Sequence, residues 1–418
     1  MNAVSPPPRP GAAGFLARYE SLIGALPGDS ALRAAAAAAF RAAGLPGGGP
    51  GRRIEAWKYT ALRPLADMLF APAQALEIAE PPTLAGATAK VVFVNGAYRA
   101  AMSAPPAFFA RFADRPDFGT LSWPDREPMT ALNTMLAADG MTLDIPADTD
   151  GGTVHLASIG VGPTAFHPRH LVRLAPGASL TLLETANGTG PYLHNPVTEI
   201  HVGAGARLIH VRLQNEDIAA FGLSTLYADI AEHGTYDSFS LNLGGRIARA
   251  EIRATLSGPH ATAHLNAAQL LTGTQHSDFT TVVRHAEPHG ASRQTVKNVL
   301  AGQSRGVFQG RIEVARDAQK TDGYQMNQAL LLSPDAEMDC KPELEIFADD
   351  VKCSHGATIG ALDADQIFYL RSRGVPAAEA RAILVRAFLT EAIDAVADDA
   401  IRALLEAGIA GWWDNQAA

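Results

Sequence analysis

The chain has 418 residues, 47% hydrophobic and 18% charged, which is enough apolar material to bury a core and to build more than one folded unit. A formal net charge of -9 argues against general affinity for nucleic acid or for anionic membranes, since both need an excess of Lys and Arg. Two cysteines, Cys340 and Cys353, are too few for a secreted disulfide scaffold, and prolines interrupt the amino-terminal stretch where a signal peptide needs a continuous apolar run. A soluble, cytoplasmic protein is the expectation.

Residues 1–88 read as a proline-rich tail followed by a helical unit. The run "SALRAAAAAAFRAAGLPGGGPG" offers Ser30 as cap, alanines that favour helix, and Gly44 with Pro46 as the stop. A helix made mainly of alanine has little bulk, so it must lean on a neighbour. Trp57, Tyr59 and Leu62 in "RRIEAWKYTALRPL" are candidate anchors of a short element.

Residues 89–362 change texture. "KVVFVNGAY", "RHLVRLAPGASLTLLETANG", "TEIHVGAGARLIHVRLQ", "TTVVRH" and "GVFQGRIEV" are short β-branched runs punctuated by Gly, Asn and Pro, as strands and turns are. No helix of ordinary length is expected among them, which excludes a doubly wound sheet. Turn-like tetrads at Gly177, Gly205, Gly234 and Ser257 recur at roughly 24–29 residues, the period of solenoid coils. A β-sandwich is the alternative, although the strand texture is long for one.

Residues 363–418 return to helix. Asp363 caps "LDADQIFYLRSRGVP" with Gln366 at the capping-box position, Arg371 and Arg373 in the last turn, and Gly374 before Pro376 as the stop. In the following helix, Ala380, Ile383, Leu384, Ala387, Phe388 and Ala392 share one face by spacing, and Trp412 and Trp413 close it. This region reads as a cap on the solenoid end, a docking surface, or both.

"GQSRG" at residues 302–306 matches a nucleophile elbow, but the strand-like "GVFQGRIEV" follows where a helix is required, so Ser304 reads as a turn residue. No P-loop occurs, and energy from ATP would have to come from a partner. His260 and His264, like His285 and His289, are four apart, a spacing that stacks ligands on a helix but separates them along a strand. Cys353 and His355, two apart in "VKCSHGATIG", face the same side of a strand about 6.6 Å apart along the backbone. Thiolate and imidazole suit iron or zinc, yet a closed site needs more ligands. An inert Cys near a chance His, a nucleophile pair, and a site completed by a second subunit all remain open on residue chemistry alone.

The stretch from "GQSRGVFQGRIEV" through "KPELEIFADDVKCSHGATIGALDADQIFYLRSRG" resembles the carboxy-terminal signature of the SufB/SufD family of iron-sulfur cluster assembly proteins, and is closer to its SufD branch. "HSDFTTVVRHAEPHGASRQTVKNVL" and "AWKYTALRPL" resemble further family elements, the match being strongest over residues 270–375. The resemblance implies a mainly β fold, a right-handed parallel β-helix between helical amino- and carboxy-terminal domains. It implies a non-catalytic scaffold that pairs with a SufB-like subunit, or with itself when that partner is absent, and carries a SufC-like ABC ATPase on its carboxy-terminal helices. Arg371, Arg373, Leu384 and Phe388 are the candidate docking residues there. An iron-sulfur cluster, or iron, would be held transiently at the interface by His355, with Cys353 as a second ligand, and shared with the partner. Cys340 has no assigned role. A polysaccharide-acting solenoid enzyme and a purely structural bridging solenoid are the alternatives.

Overall fold

The computed structural model describes residues 10–47, 54–71, 76–84, 86–394, 396 and 398–417. The proline-rich tail and most of the glycine-rich break lie outside the described residues.

The amino-terminal helices Gly11–Leu22 and Ser30–Ala43 form because alanine and leucine propensity is stopped cleanly at Gly44, which takes a left-handed φ of 67°. Asp29, not Ser30, caps the second helix: its carboxylate accepts from the amides of Ala31 and Leu32. Ser30 is the first helical residue, and the carboxylate one place earlier reaches both orphan donors. The alanine-rich helix leans on a neighbour as expected. Ala36, Ala37 and Phe40 bury against Met129, Leu132 and Met135 of the helix Pro128–Leu136. That helix interrupts the strand region, contrary to expectation. Its nine residues are all buried, so the segment lacks the polar face by which an amphipathic helix is recognised.

From Ala89 onward the chain winds into a β-solenoid of about 8 turns, with helices at both ends. Two parallel sheets form its walls, one running from Ala89–Val94 to Lys352–Gly360 and the other ending on Glu337–Ile346. Within the first wall Ser179 pairs with Arg207, then Thr235, Thr262, Ala291, Asp322 and Lys352, so each coil takes 27–31 residues. The period in the sequence is real, but its turn residues shift. Gly177 and Gly205 hold the left-handed corner with φ of 71° and 63°, and the next corners are His233 and His260, not Gly234 and Ser257.

Inward residues stack in columns that fill the core. Ala250, Phe279 and Phe308 line one wall and Leu208, Tyr236 and Ala263 the other. At ~25 cal/mol per Å2 of apolar surface, each added coil is stabilised mainly by covering its neighbour, and the last coil has nothing beyond it. The short element at Trp57 straps the outside of the second wall. Trp57 is buried beneath the Arg249 guanidinium at 4.3 Å, Thr60 bonds Asp278 and the His276 ring, and Leu62 is fully buried while Tyr59 is half-buried.

The carboxy-terminal helices Ala377–Ile393 and Asp399–Ala417 lie on the outer face of the first wall. Val385, Leu389, Ala392, Ile393 and Trp412 pack on Phe239, Leu241, Leu270 and Val299. The buried stripe is therefore rotated from the one spacing suggested: Ile383 and Ala387 are exposed, and Leu384 and Phe388 are half-buried. The helix is apolar nearly all round, so periodicity could not choose its face. Among the described residues no helix is long and apolar enough to cross a membrane.

Candidate functional site at the terminal coil

The strands Glu337–Ile346 and Lys352–Gly360 form the final coil and are the edges of their sheets. Register fixes what they point inward. Cys340 continues the column Ala250, Phe279, Phe308. Cys353 continues Ala263, Ser292, Gly323, and His355 continues Gln294 and Gln325, which are fully buried. An inward position that is core in every earlier coil is uncovered in the last, and there His355 is exposed and Cys353 half-buried.

Sequence spacing thus correctly put Cys353 and His355 on one face, but not the reason they are accessible, which is that the coil stack ends. Cys353 packs among Ile312, Leu344 and Val351, and burial pushes its thiol pKa up. Gly323 beneath it leaves room, since a Cβ there would lie 3.3 Å from Cys353 Sγ. Both thiols are free.

Cys340 is the residue that sequence reasoning left without a role. It sits at the end of a buried line of side-chain amides. Gln269 Nε2 donates to Asn298 Oδ1 at 2.7 Å, Asn298 Nδ2 to Asn327 Oδ1 at 2.8 Å, and Asn327 Nδ2 to Cys340 Sγ at 2.9 Å. Gln269, Asn298 and Asn327 are all fully buried. Burial nevertheless dominates, and the Cys340 thiol is pushed up to about 11. The signal that could have found this line is the Gln/Asn spacing of 29 residues from Gln269 to Asn298 and again to Asn327. Among the described residues no three His, Cys, Asp or Glu side chains are arranged to hold a metal ion.

Around the inward donors the coil end is apolar. Ile346 and Ile359 on the two strands, and Phe347 just after the first of them, are 38%, 49% and 64% exposed. The unpaired backbone of an edge strand adds donors and acceptors without partners. On the neighbouring helix Ala364–Ser372, capped by Asp363 as expected, Phe368 and Tyr369 are also exposed, and Arg371 and Arg373 face solvent with Arg373 over the Tyr369 ring at 5.3 Å. Phe388 instead turns toward the solenoid, under the Lys297 ammonium at 4.6 Å, so the four candidate docking residues do not form one surface patch.

Other motifs resolve without chemistry. Ser304 is fully buried in a turn between Ala291–Leu300 and Arg305–Val314, with no elbow. His285 points inward to Ser292 Oγ at 2.9 Å while His289 lies exposed at a corner, and His264 bonds Asp237 whereas His260 stands exposed at the same corner one coil earlier, so neither four-residue pair converges. A groove of about 800 Å3 crosses the outer face of the first wall, with Asp237 and Asp322 as its carboxylates. Both are ion-paired, Asp237 to Arg207 and Asp322 to Arg293. The Arg293 fork holds Asp322 below the usual carboxylate range, the opposite of what a glycosidase acid requires.

A family model described as SUF system FeS cluster assembly, SufBD core domain, matches residues 157–388. The chain is 34% identical over 284 residues to an iron-sulfur cluster assembly SufBD family protein of Synechocystis, an alignment covering 65% of this chain and 63% of that one. It is 38% identical over 239 residues to the iron-sulfur cluster assembly protein SufD of Escherichia coli, covering 56% of each, and 34% identical over 240 residues to the chloroplastic protein ABCI7 of Arabidopsis thaliana, covering 56% and 50%. The alignments therefore span between half and two-thirds of these relatives' own lengths.

Proposed function

The chain belongs to the SufBD family of the SUF iron-sulfur cluster assembly system, and from that premise we propose that it is a non-catalytic, SufD-like scaffold subunit whose terminal coil forms half of an assembly interface. The observation that carries this reading is the exposure of His355 on an inward column at the open edge of the solenoid.

A SufB-like partner would cover that edge. Strand addition satisfies the free backbone groups of Lys352–Gly360, and Ile346, Phe347 and Ile359 supply the apolar rim. Closing the coil end brings a second set of ligands opposite His355 and completes what this chain alone presents in part. His355 binds the cargo through one neutral ring nitrogen, and Cys353 is a second ligand once the metal displaces its proton. The cluster is cargo, transient and shared.

An ABC-type ATPase would dock on the carboxy-terminal helices. Arg371 and Arg373 face solvent at the surface, with Leu384 at the rim, while Phe388 supports the helix from beneath. The units at residues 1–88, 89–362 and 363–418 would then act as strap, scaffold and lever. Nucleotide-driven closure of the ATPases strains the helical ends and opens the coil interface to iron, sulfur and electrons.

Pairing is tested by co-expression with the SufB-like subunit. Phe347→Asp with Ile359→Asp should abolish co-purification while leaving the chain folded; retained pairing sinks the edge assignment. Docking is tested with Arg371→Ala and Arg373→Ala, because truncating the helices would strip Leu389 and Val385 from the solenoid wall. Loss of ATPase co-purification is expected, and undiminished binding refutes this surface.

A further inference from the structure

Three histidines that the assembly reading does not use stand together on the solenoid surface. His233, His260 and His289 occupy the same corner of three successive coils, each in the left-handed region with φ of 55°, 59° and 60°. The corner is fixed by backbone bonds along the solenoid axis: the His233 amide donates to Pro259 O at 3.0 Å, that of His260 to Pro288 O at 3.2 Å, and that of His289 to Gln319 O at 2.9 Å. Their rings stack face to face, His233 on His260 at 4.8 Å and 1° between planes, and His260 on His289 at 4.7 Å and 10°. All three are exposed, and Glu232 lies 3.8 Å from His233 Nε2.

A left-handed corner favours Gly and, after it, Asn, Asp and His, and β-branched or bulky residues are strained there. Gly177 and Gly205 hold it in the two preceding coils. Lys320 holds the following corner, so the turn accepts several residue types, and what sets the three imidazoles apart is that their rings share one exposed stack. We infer that adjacent rings of this column form a surface binding site for a borderline divalent transition metal, held by two imidazoles at a time.

The three exposed rings are close enough for neighbours to share an ion once they turn out of the stack. An ion bound at about 2.0–2.1 Å from each nitrogen needs the two nitrogens no more than about 4.2 Å apart. The ring centroids lie 4.7–4.8 Å apart with nearly parallel planes, so the in-plane lone pairs run side by side, and two neighbouring rings share an ion by turning about their soft terminal torsions until the lone pairs converge. The stack stands as two pairs around a shared centre. Water completes the coordination, with the Glu232 carboxylate in reach of the first pair. His260 belongs to both pairs, whereas His233 and His289 are two coils apart, about 9–10 Å, too far to share an ion. The site is separate from His355 and does not rest on the assembly reading.

The test is Cu2+ binding to the intact chain by equilibrium dialysis, with nitrogen hyperfine structure read by electron paramagnetic resonance. Asn is the substitution of choice because it tolerates the left-handed corner. His260→Asn should weaken binding on the order of tenfold or more and erase the two-nitrogen pattern. His233→Asn and His289→Asn each leave one pair and should stay within about twofold on statistical grounds, with the pattern kept. The double variant His233→Asn, His289→Asn should match His260→Asn, which keeps the test valid if the central substitution perturbs the corner. Equal effects of the three single variants, or no effect of any, would overturn the pair site. Loss of the signal in His355→Ala would place the copper at the terminal coil instead, and also overturn it.

Discussion

Asn327 donates its side-chain amide to Cys340 Sγ at 2.9 Å, reaching from the penultimate coil of one wall to the terminal coil of the other. Asn298 polarises that amide from behind, so the line of donors favours negative charge on the sulfur. Asn327→Leu should therefore raise the Cys340 thiol still further above its ordinary value and slow its alkylation at fixed pH, read in a Cys353→Ser background. The orphaned Asn298 donor should also cost about 1–3 kcal/mol of stability. An unchanged alkylation profile would show that the bond does nothing to the thiol.

The carboxy-terminal helix gives a sharper stability test, because spacing and packing choose different faces. Leu389 is fully buried on the solenoid wall, and Leu389→Ala should cost about 2–5 kcal/mol in urea denaturation. Ile383, which shares the face suggested by spacing, is 38% exposed, and Ile383→Ala should stay within about 0.5 kcal/mol. The reverse order would contradict the packing described.

Acid should loosen the solenoid through its buried histidines. Burial lowers His285 to about 4, and His155 and His170 likewise to about 4. Each is neutral when folded and takes a proton on unfolding once the pH falls below the usual imidazole value. A depressed folded value means that the stabilisation is complete above about pH 6.5 and is lost as the pH falls toward 4, on the order of 3 kcal/mol per histidine. The urea midpoint should drop between neutral pH and about pH 5, and His285→Gln should flatten that drop. Parallel slopes for wild type and variant would mean that His285 is not the titrating group.

Much of the fold was legible because a solenoid repeats. β-branched runs and the coil period were readable in the residues, as were the Asp363 cap and the Gly44 stop. What escaped has physical causes. The Pro128–Leu136 helix is buried all round and shows no amphipathic signature. Asp29 outcompetes Ser30 as a cap by position, not by type. At the site, "VKCSHG" placed Cys353 and His355 on one face, but their exposure depends on the strand being the last of its sheet, which no local pattern records. Cys340 was invisible for the same reason: its amide donor, Asn327, comes from the preceding coil. The histidine column needed the true coil length, since His233, His260 and His289 are 27 and 29 residues apart while the eye catches the four-residue pairs.

The central claim is that His355 is a ligand-bearing residue at an interface that a partner completes. It is tested by iron and acid-labile sulfide content, with the visible spectrum, of the chain co-expressed and anaerobically purified with a SufB-like subunit and an ABC-type ATPase, wild type beside His355→Ala. Because His355 is exposed, the variant should fold and assemble normally, so any change in loading reports on the ligand. Cluster present in the wild-type complex and lost from an intact His355→Ala complex is the predicted result. Equal loading in both would contradict the account, moving the ligands to the partner and leaving this terminal coil as support alone.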